Sequence, residues 1–78
     1  MKELLEYIIG QILGKDDFSV EVKEDEGTVL LETKLKPTDI GLIIGKGGNT
    51  IKAIQNILRV KGRIENKMVQ VNVLETQS

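Results

Sequence analysis

The chain has 78 residues, of which 40% are hydrophobic and 29% charged, a composition that folds and a length that supports one domain rather than two. It contains no Cys and no His, which excludes disulfides, thiol nucleophiles, imidazole acid–base catalysis and zinc sites built on those ligands. The formal net charge is −1 and the pI about 5.4; taken as totals, these argue against a partner as acidic as nucleic acid.

Along the chain, Leu4, Leu5, Ile8, Ile9, Ile12 and Leu13 recur at helical spacing and predict an amphipathic helix from about Lys2 to Leu13, stopped at Gly14. The apolar part of this segment is interrupted by Glu6 and Gln11 and is shorter than the roughly 20 apolar residues of a membrane span. There is no cleavage-site pattern, so the expectation is a soluble, cytoplasmic protein that does not engage membranes. Phe18, Val20 and Val22 alternate with polar residues, Glu24-Asp25-Glu26-Gly27 reads as a turn, and Val29, Leu31, Thr33 and Leu35 resume the alternation. Residues 18–35 therefore predict a β-hairpin.

Pro37 suits a helix first turn, and Thr38 and Asp39 are acceptors suited to the free N–H groups there. A short helix over about Pro37 to Ile44 gives way to Gly45-Lys46-Gly47-Gly48. A second helix runs from near Asn49 to Gly62, its expected stop, with Lys52, Gln55, Asn56 and Arg59 on one polar arc and Ile51, Ala53, Ile54, Ile57, Leu58 and Val60 on the other half. Val69, Val71 and Val73 alternate with polar residues as a last strand. The order α-β-β-α-α-β predicts an α+β domain spanning residues 1–78, with three helices on one face of a three-stranded mixed sheet.

The net charge of −1 is a cancellation. Residues 1–33 carry three bases against nine acids, a net of −6, and residues 34–78 carry eight bases against three acids, a net of +5. From Ile40 to Ile64 there are five bases and no acid, so an anion-binding surface is expected in this half.

Three glycines in four residues, between two helices, let the backbone turn sharply and bring its N–H groups close to an anion. The following helix adds the positive end of its dipole and Lys46 a full charge, so a phosphate is the expected guest. Neither of two familiar phosphate motifs fits. Gly41 to Gly45 is one residue short for a P-loop, and Thr50 stands where a dinucleotide fingerprint needs its third Gly. The only aromatics, Tyr7 and Phe18, lie in the acidic half at positions expected to pack inward. Base-stacking platforms are thereby excluded.

The run from Gly41 to Ile54 resembles the helix-GxxG-helix core of a KH domain, here over about residues 37–62. The loop of such a domain clamps the backbone of about four single-stranded nucleotides. The leading helix and strand resemble the type II arrangement. The length and the Lys36-Pro37-x-Asp39-x-Gly41 lead-in resemble the small bacterial single-KH-domain RNA-binding proteins of the KhpA-like family, over nearly the whole chain.

The resemblance implies that Gly45, Lys46, Gly47 and Gly48 form the backbone clamp, and Asn49, the next residue, is counted among the RNA-binding residues. It implies that Gly41 and Ile44 belong to an apolar floor for bases, Gly41 because a side chain there would block their approach. Lys52 would flank the phosphate path. Leu42, Asn49 and Gln55 stand where that family is expected to carry basic residues, which bears on the strength of the grip and not on its place. Arg59 and Arg63 extend the basic stripe on charge grounds alone.

The implied function is single-stranded RNA binding with low sequence specificity, as an RNA chaperone or adaptor without catalysis, cofactor or metal. The alternative is a KH-fold module for protein–protein interaction in which RNA binding has lapsed. Ala53, Ile57 and Val60 lie on the wide apolar arc of the second helix and form a candidate face for a homodimer. The resemblance also implies pairing with a larger RNA-binding partner.

Overall fold

A computed structural model describes residues 1–15 and 17–76. Helix α1 (Lys2–Leu13) is followed by strands β1 (Ser19–Asp25) and β2 (Thr28–Leu35). Helix α2 (Pro37–Ile44), a single 3-10 turn over Lys46–Gly48, helix α3 (Asn49–Ile64) and strand β3 (Met68–Glu75) complete the fold. The strands lie in the order β1-β2-β3. β1 runs antiparallel to β2, with Val20 opposite Thr33, and β3 runs parallel to β2, with Val69 beside Val29. The α2–α3 pair is the crossover that a parallel neighbour requires. This is the mixed sheet and α+β order that the alternation and helical spacing predict.

Alternation decides the core. Val29, Leu31, Thr33 and Leu35 of the central strand are buried, with Val20, Val69 and Val71 beside them. Leu5 and Ile9 of α1, Ile43 of α2 and Ile54 and Leu58 of α3 close over this face. Burying such side chains contributes about 1.5–3 kcal/mol each, and it fixes the direction of α3 over the sheet.

Several local expectations are corrected. The hairpin turn has two residues, Glu26 and Gly27, both with positive φ (45° and 84°), a turn whose twist matches the flanking strands. Glu24 and Asp25 therefore belong to β1. Tyr7 is 65% exposed rather than inward, because it stands two residues from both buried positions of α1 and so on the opposite side of the helix. Phe18 does pack partly against the core.

Asp39 makes no cap to α2. It is buried, with Oδ2 2.9 Å from the Lys15 Nζ, and so ties the segment after α1 to α2. Gly62 is not the stop of α3 but lies inside it. A Cβ there would stand 2.6 Å from both the Lys67 carbonyl oxygen and the Val69 Cγ2, so its missing side chain lets the last turn press on the start of β3. The helix ends two residues later. Asn66 takes the left-handed conformation (φ 57°), and the Lys67 and Asn66 amides donate to the Gly62 and Arg63 carbonyls at 2.7 and 3.2 Å, the pairing of a Schellman end.

Candidate nucleic-acid interface

The loop between α2 and α3 is built by backbone conformations that side chains resist. The Gly45 amide donates to the Gly41 carbonyl at 2.9 Å and ends α2. Gly45 then turns with φ 76°, and a Cβ on it would lie 2.6 Å from the Thr50 Cβ and 2.9 Å from the Thr50 nitrogen. Only glycine fits. Gly47 and Gly48 also have positive φ, at 65° and 77°, but open space surrounds their missing side chains. The Gly48 amide donates to the Gly45 carbonyl at 3.1 Å and closes the turn.

Among the described residues, the amides of Lys46 and Gly47 donate to no backbone carbonyl. α3 begins immediately afterwards, and no side chain caps it. Two unused N–H groups, the positive end of a sixteen-residue helix and the exposed Lys46 therefore meet at one place. This is the arrangement that holds a phosphate oxygen.

The lysines and arginines divide by position. Lys15, Lys23, Lys34, Lys36, Lys61 and Lys67 each lie within ion-pair distance of a carboxylate: Asp39, Glu32, Glu21, Asp17, Glu65 and Glu24. Hydrogen bonding and charge from Glu32, Asp17 and Glu24 hold Lys23, Lys36 and Lys67 above the ordinary lysine range. Five have no carboxylate partner among the described residues, Lys2 at the start of α1 and Lys46, Lys52, Arg59 and Arg63 in the second half of the chain, and all five are exposed. On α3, Lys52, Asn56, Arg59 and Arg63 follow at intervals of four, three and four, which stacks them in one stripe running from the loop to the helix end.

The other expected site residues lie close to this loop. Asn49 is exposed at the first position of α3, Ile44 is half-buried at the end of α2, and Gly41 is exposed with nothing within 4 Å of a Cβ built on it. The fold therefore leaves open space at Gly41. Gln55 does not share the open polar arc. Its Nε2 donates to the Val71 carbonyl at 3.2 Å, which fastens α3 to the outer edge of β3.

Ala53, Ile57 and Val60 are exposed, Ile57 and Val60 by 49% and 56%. α1 does not cover them. Ile64, at 73% exposure, continues the same stripe. Its spacing of four from Val60 carried that information in the sequence, but an expected helix end at Gly62 hid it.

A cleft of about 640 Å³ lies elsewhere. Phe18, Ser19, Lys34, Lys36, Pro37 and Thr76 are among its lining residues. Both of its lysines are engaged by carboxylates, so it offers an anion no free charge. Among the described residues no cluster of side chains could hold a metal ion, and no helix is long and apolar enough to cross a membrane.

Residues 2–73 match the family model of the KhpA/KhpB KH domain. The RNA-binding protein KhpA of Clostridium perfringens is 37% identical over 75 residues, covering 95% of this chain and all of the relative. That of Chlamydia trachomatis is 39% identical over 77 residues, covering 96% and 97%. That of Aquifex aeolicus is 33% identical over 76 residues, covering 96% of each. With the helix-GxxG-helix core seated on a mixed three-stranded sheet, and a match over almost its whole length, this chain belongs to the KhpA/KhpB family of RNA-binding KH domains.

Proposed function

We propose that the chain binds a short single strand of RNA with low sequence specificity and serves as a chaperone or adaptor in RNA metabolism. The observation that carries this reading is the meeting of the unused Lys46 and Gly47 amides with four cations that no carboxylate engages among the described residues. In this reading Gly45, Lys46, Gly47 and Gly48 hold a backbone phosphate and Asn49 flanks it. Gly41 and Ile44 support the bases, and Lys52, Arg59 and Arg63 carry the strand along α3. No catalytic role is assigned.

Low specificity follows from the same chemistry. Amides and cations on phosphates read charge and not bases. With two to four phosphates neutralised, log K falls against log salt with a slope of roughly −1.4 to −2.8, about −0.7 per contact for single strands.

The test is a titration of a single-stranded oligouridylate with the parent and with the double variant Lys46→Asp, Gly47→Asp. Position 47 has open space and a φ of 65°, a conformation that Asp tolerates better than most residues, so the variant is expected to keep its fold, which circular dichroism checks. A loss of at least about tenfold in affinity is expected. Unchanged affinity in the folded variant overturns the reading and leaves the protein–protein module.

The exposed stripe of Ala53, Ile57 and Val60 supports a second function beside RNA binding. We assign it to a second copy of the chain, with a larger RNA-binding partner as the alternative occupant. Sedimentation of the parent against Val60→Asp checks this, and a parent that stays monomeric at all concentrations refutes self-association.

A further inference from the structure

Ile54, Leu58 and Gly62 are the buried line of α3, and Gln55, Arg59 and Arg63 each follow one residue later. One residue is about 100° around a helix, so these three share one flank. Gln55 fixes which flank it is, because its Nε2 donates to the Val71 carbonyl. Arg59 and Arg63 therefore stand further along the side of α3 that faces the open edge of β3, the last strand of the sheet.

That edge adds backbone donors. The amides of Met68 and Thr76 donate to the Gly27 and Leu35 carbonyls at 2.9 and 2.8 Å, which places the even-numbered residues of β3 toward β2. Alternate residues of a strand share a side, so Val69, Val71 and Val73 turn their N–H and C=O groups outward. The contact between Gln55 and the Val71 carbonyl agrees.

Arg59, Arg63, Lys67 and Val69 line one cleft of about 190 Å³, and no acidic residue is among its described lining residues. Three cations and an outward N–H meet there. Lys67 is the one whose charge is engaged, by Glu24 near the end of β1. The Lys67 and Glu24 side chains are 33% and 48% exposed, and an ion pair this accessible contributes little and is readily exchanged. A phosphate in the cleft gains charge-assisted bonds from two guanidiniums as well as the ammonium. On the other side of Arg63 and Lys67, Glu26 lines a second cleft with both, so the acidic end of the hairpin bounds the place.

α3 has sixteen residues, a length of about 24 Å. The cleft is thus at the opposite end of the helix from the glycine loop, whose clamp takes about four nucleotides.

The geometry points to a second phosphate site at the far end of α3, formed by Arg59, Arg63, Lys67 and the Val69 amide, from which Glu24 withholds Lys67 until a phosphate of a longer RNA strand takes its place. This rests on the single-stranded RNA reading above and adds Lys67 and Glu24 to it. A strand confined to the glycine loop does not meet Glu24. A strand that runs the length of α3 has to displace it.

The test titrates oligouridylates of about four and about twelve nucleotides with the parent, Glu24→Gln, Lys67→Gln and the two substitutions combined. Glu24→Gln is expected to raise affinity for the longer RNA roughly two- to fivefold, the worth of an exposed ion pair. Lys67→Gln is expected to lower it by a similar factor and to make the salt slope shallower by about 0.7. In the combined variant the gain from Glu24→Gln disappears, because no lysine is left to release. None of these changes alters affinity for the shorter RNA. In nitrogen–proton correlation spectra the Val69 amide moves with the longer RNA and not with the shorter.

Unchanged affinity of Glu24→Gln for the longer RNA overturns the inference. A gain that persists beside Lys67→Gln, or that is equal for both lengths, overturns it too, since either marks a general effect of removing an acid. In all of these cases the reading of the glycine loop stands as long as Lys46→Asp with Gly47→Asp weakens binding. If the longer RNA does not bind the parent, the RNA reading itself has failed and this site fails with it.

Discussion

A Cβ on Gly45 would lie 2.6 Å from the Cβ of Thr50, so the first glycine of the loop is fixed by packing against the first turn of α3. Gly47 and Gly48 meet no such neighbour. The loop is therefore held by packing where it leaves α2 and open at the two glycines where a phosphate is proposed to sit. Gly45→Ala is expected to lose about 2–4 kcal/mol, combining left-handed strain with overpacking. Gly47→Ala is expected to lose only about 1–2 kcal/mol, from the strain alone. Urea unfolding of the two variants checks the order.

Gly41 separates the fold from the proposed site. It lies inside α2, exposed, with nothing within 4 Å of an added Cβ. Gly41→Ala is expected to stabilise the domain by about 0.5–1 kcal/mol through helix propensity. The same methyl protrudes where bases are proposed to lie, so RNA affinity is expected to fall several-fold. A variant that is more stable and binds RNA as well as the parent removes Gly41 from the site.

Thr33 is fully buried on the inner face of β2, and its Oγ1 has no hydrogen-bond partner among the described residues. A buried hydroxyl without a partner costs about 1–3 kcal/mol. Thr33→Val keeps the branched shape and removes that cost, so thermal and urea unfolding are expected to show a gain of about 1 kcal/mol. A loss would mean that the hydroxyl has a partner in solution.

The pH response follows from the absence of His and Cys. Asp17 is held below its ordinary value of 3.8 by its hydrogen bond to Lys36 and then by that lysine's charge. Its stabilisation is present above the unfolded value and lost as pH falls through the lowered one. Lys23, Lys36 and Lys67 are raised above 10.5, first by their hydrogen bonds to Glu32, Asp17 and Glu24. Their stabilisation is complete below 10.5 and lost as pH rises through the raised values. Stability and RNA affinity are thus expected to stay flat between about pH 6 and pH 9, and a midpoint in that window in either measurement contradicts the assignment.

The sequence by itself determined the elements and the loop. Periods of two and of three to four residues read the two faces of each strand and helix. Three glycines around Lys46 are a local signature, because the conformations they permit belong to those residues alone. The acid-free run from Ile40 to Ile64 located the basic half in the same way.

Tertiary structure decided everything that depends on a neighbour distant in the chain. Gly62 reads locally as a helix stop, and only the approach of Val69 makes it a packing residue inside α3. Gln55 reads as part of an open polar arc until β3 brings the Val71 carbonyl to it. Which cations stay free is likewise a matter of partners, since Lys67 is engaged by Glu24 from the hairpin while Arg59 and Arg63 have no carboxylate partner among the described residues. The wide apolar arc of α3 has a single period in the sequence. Only the sheet on one side and solvent on the other divide it into a buried half, with Ile54 and Leu58, and an exposed stripe, with Ile57, Val60 and Ile64.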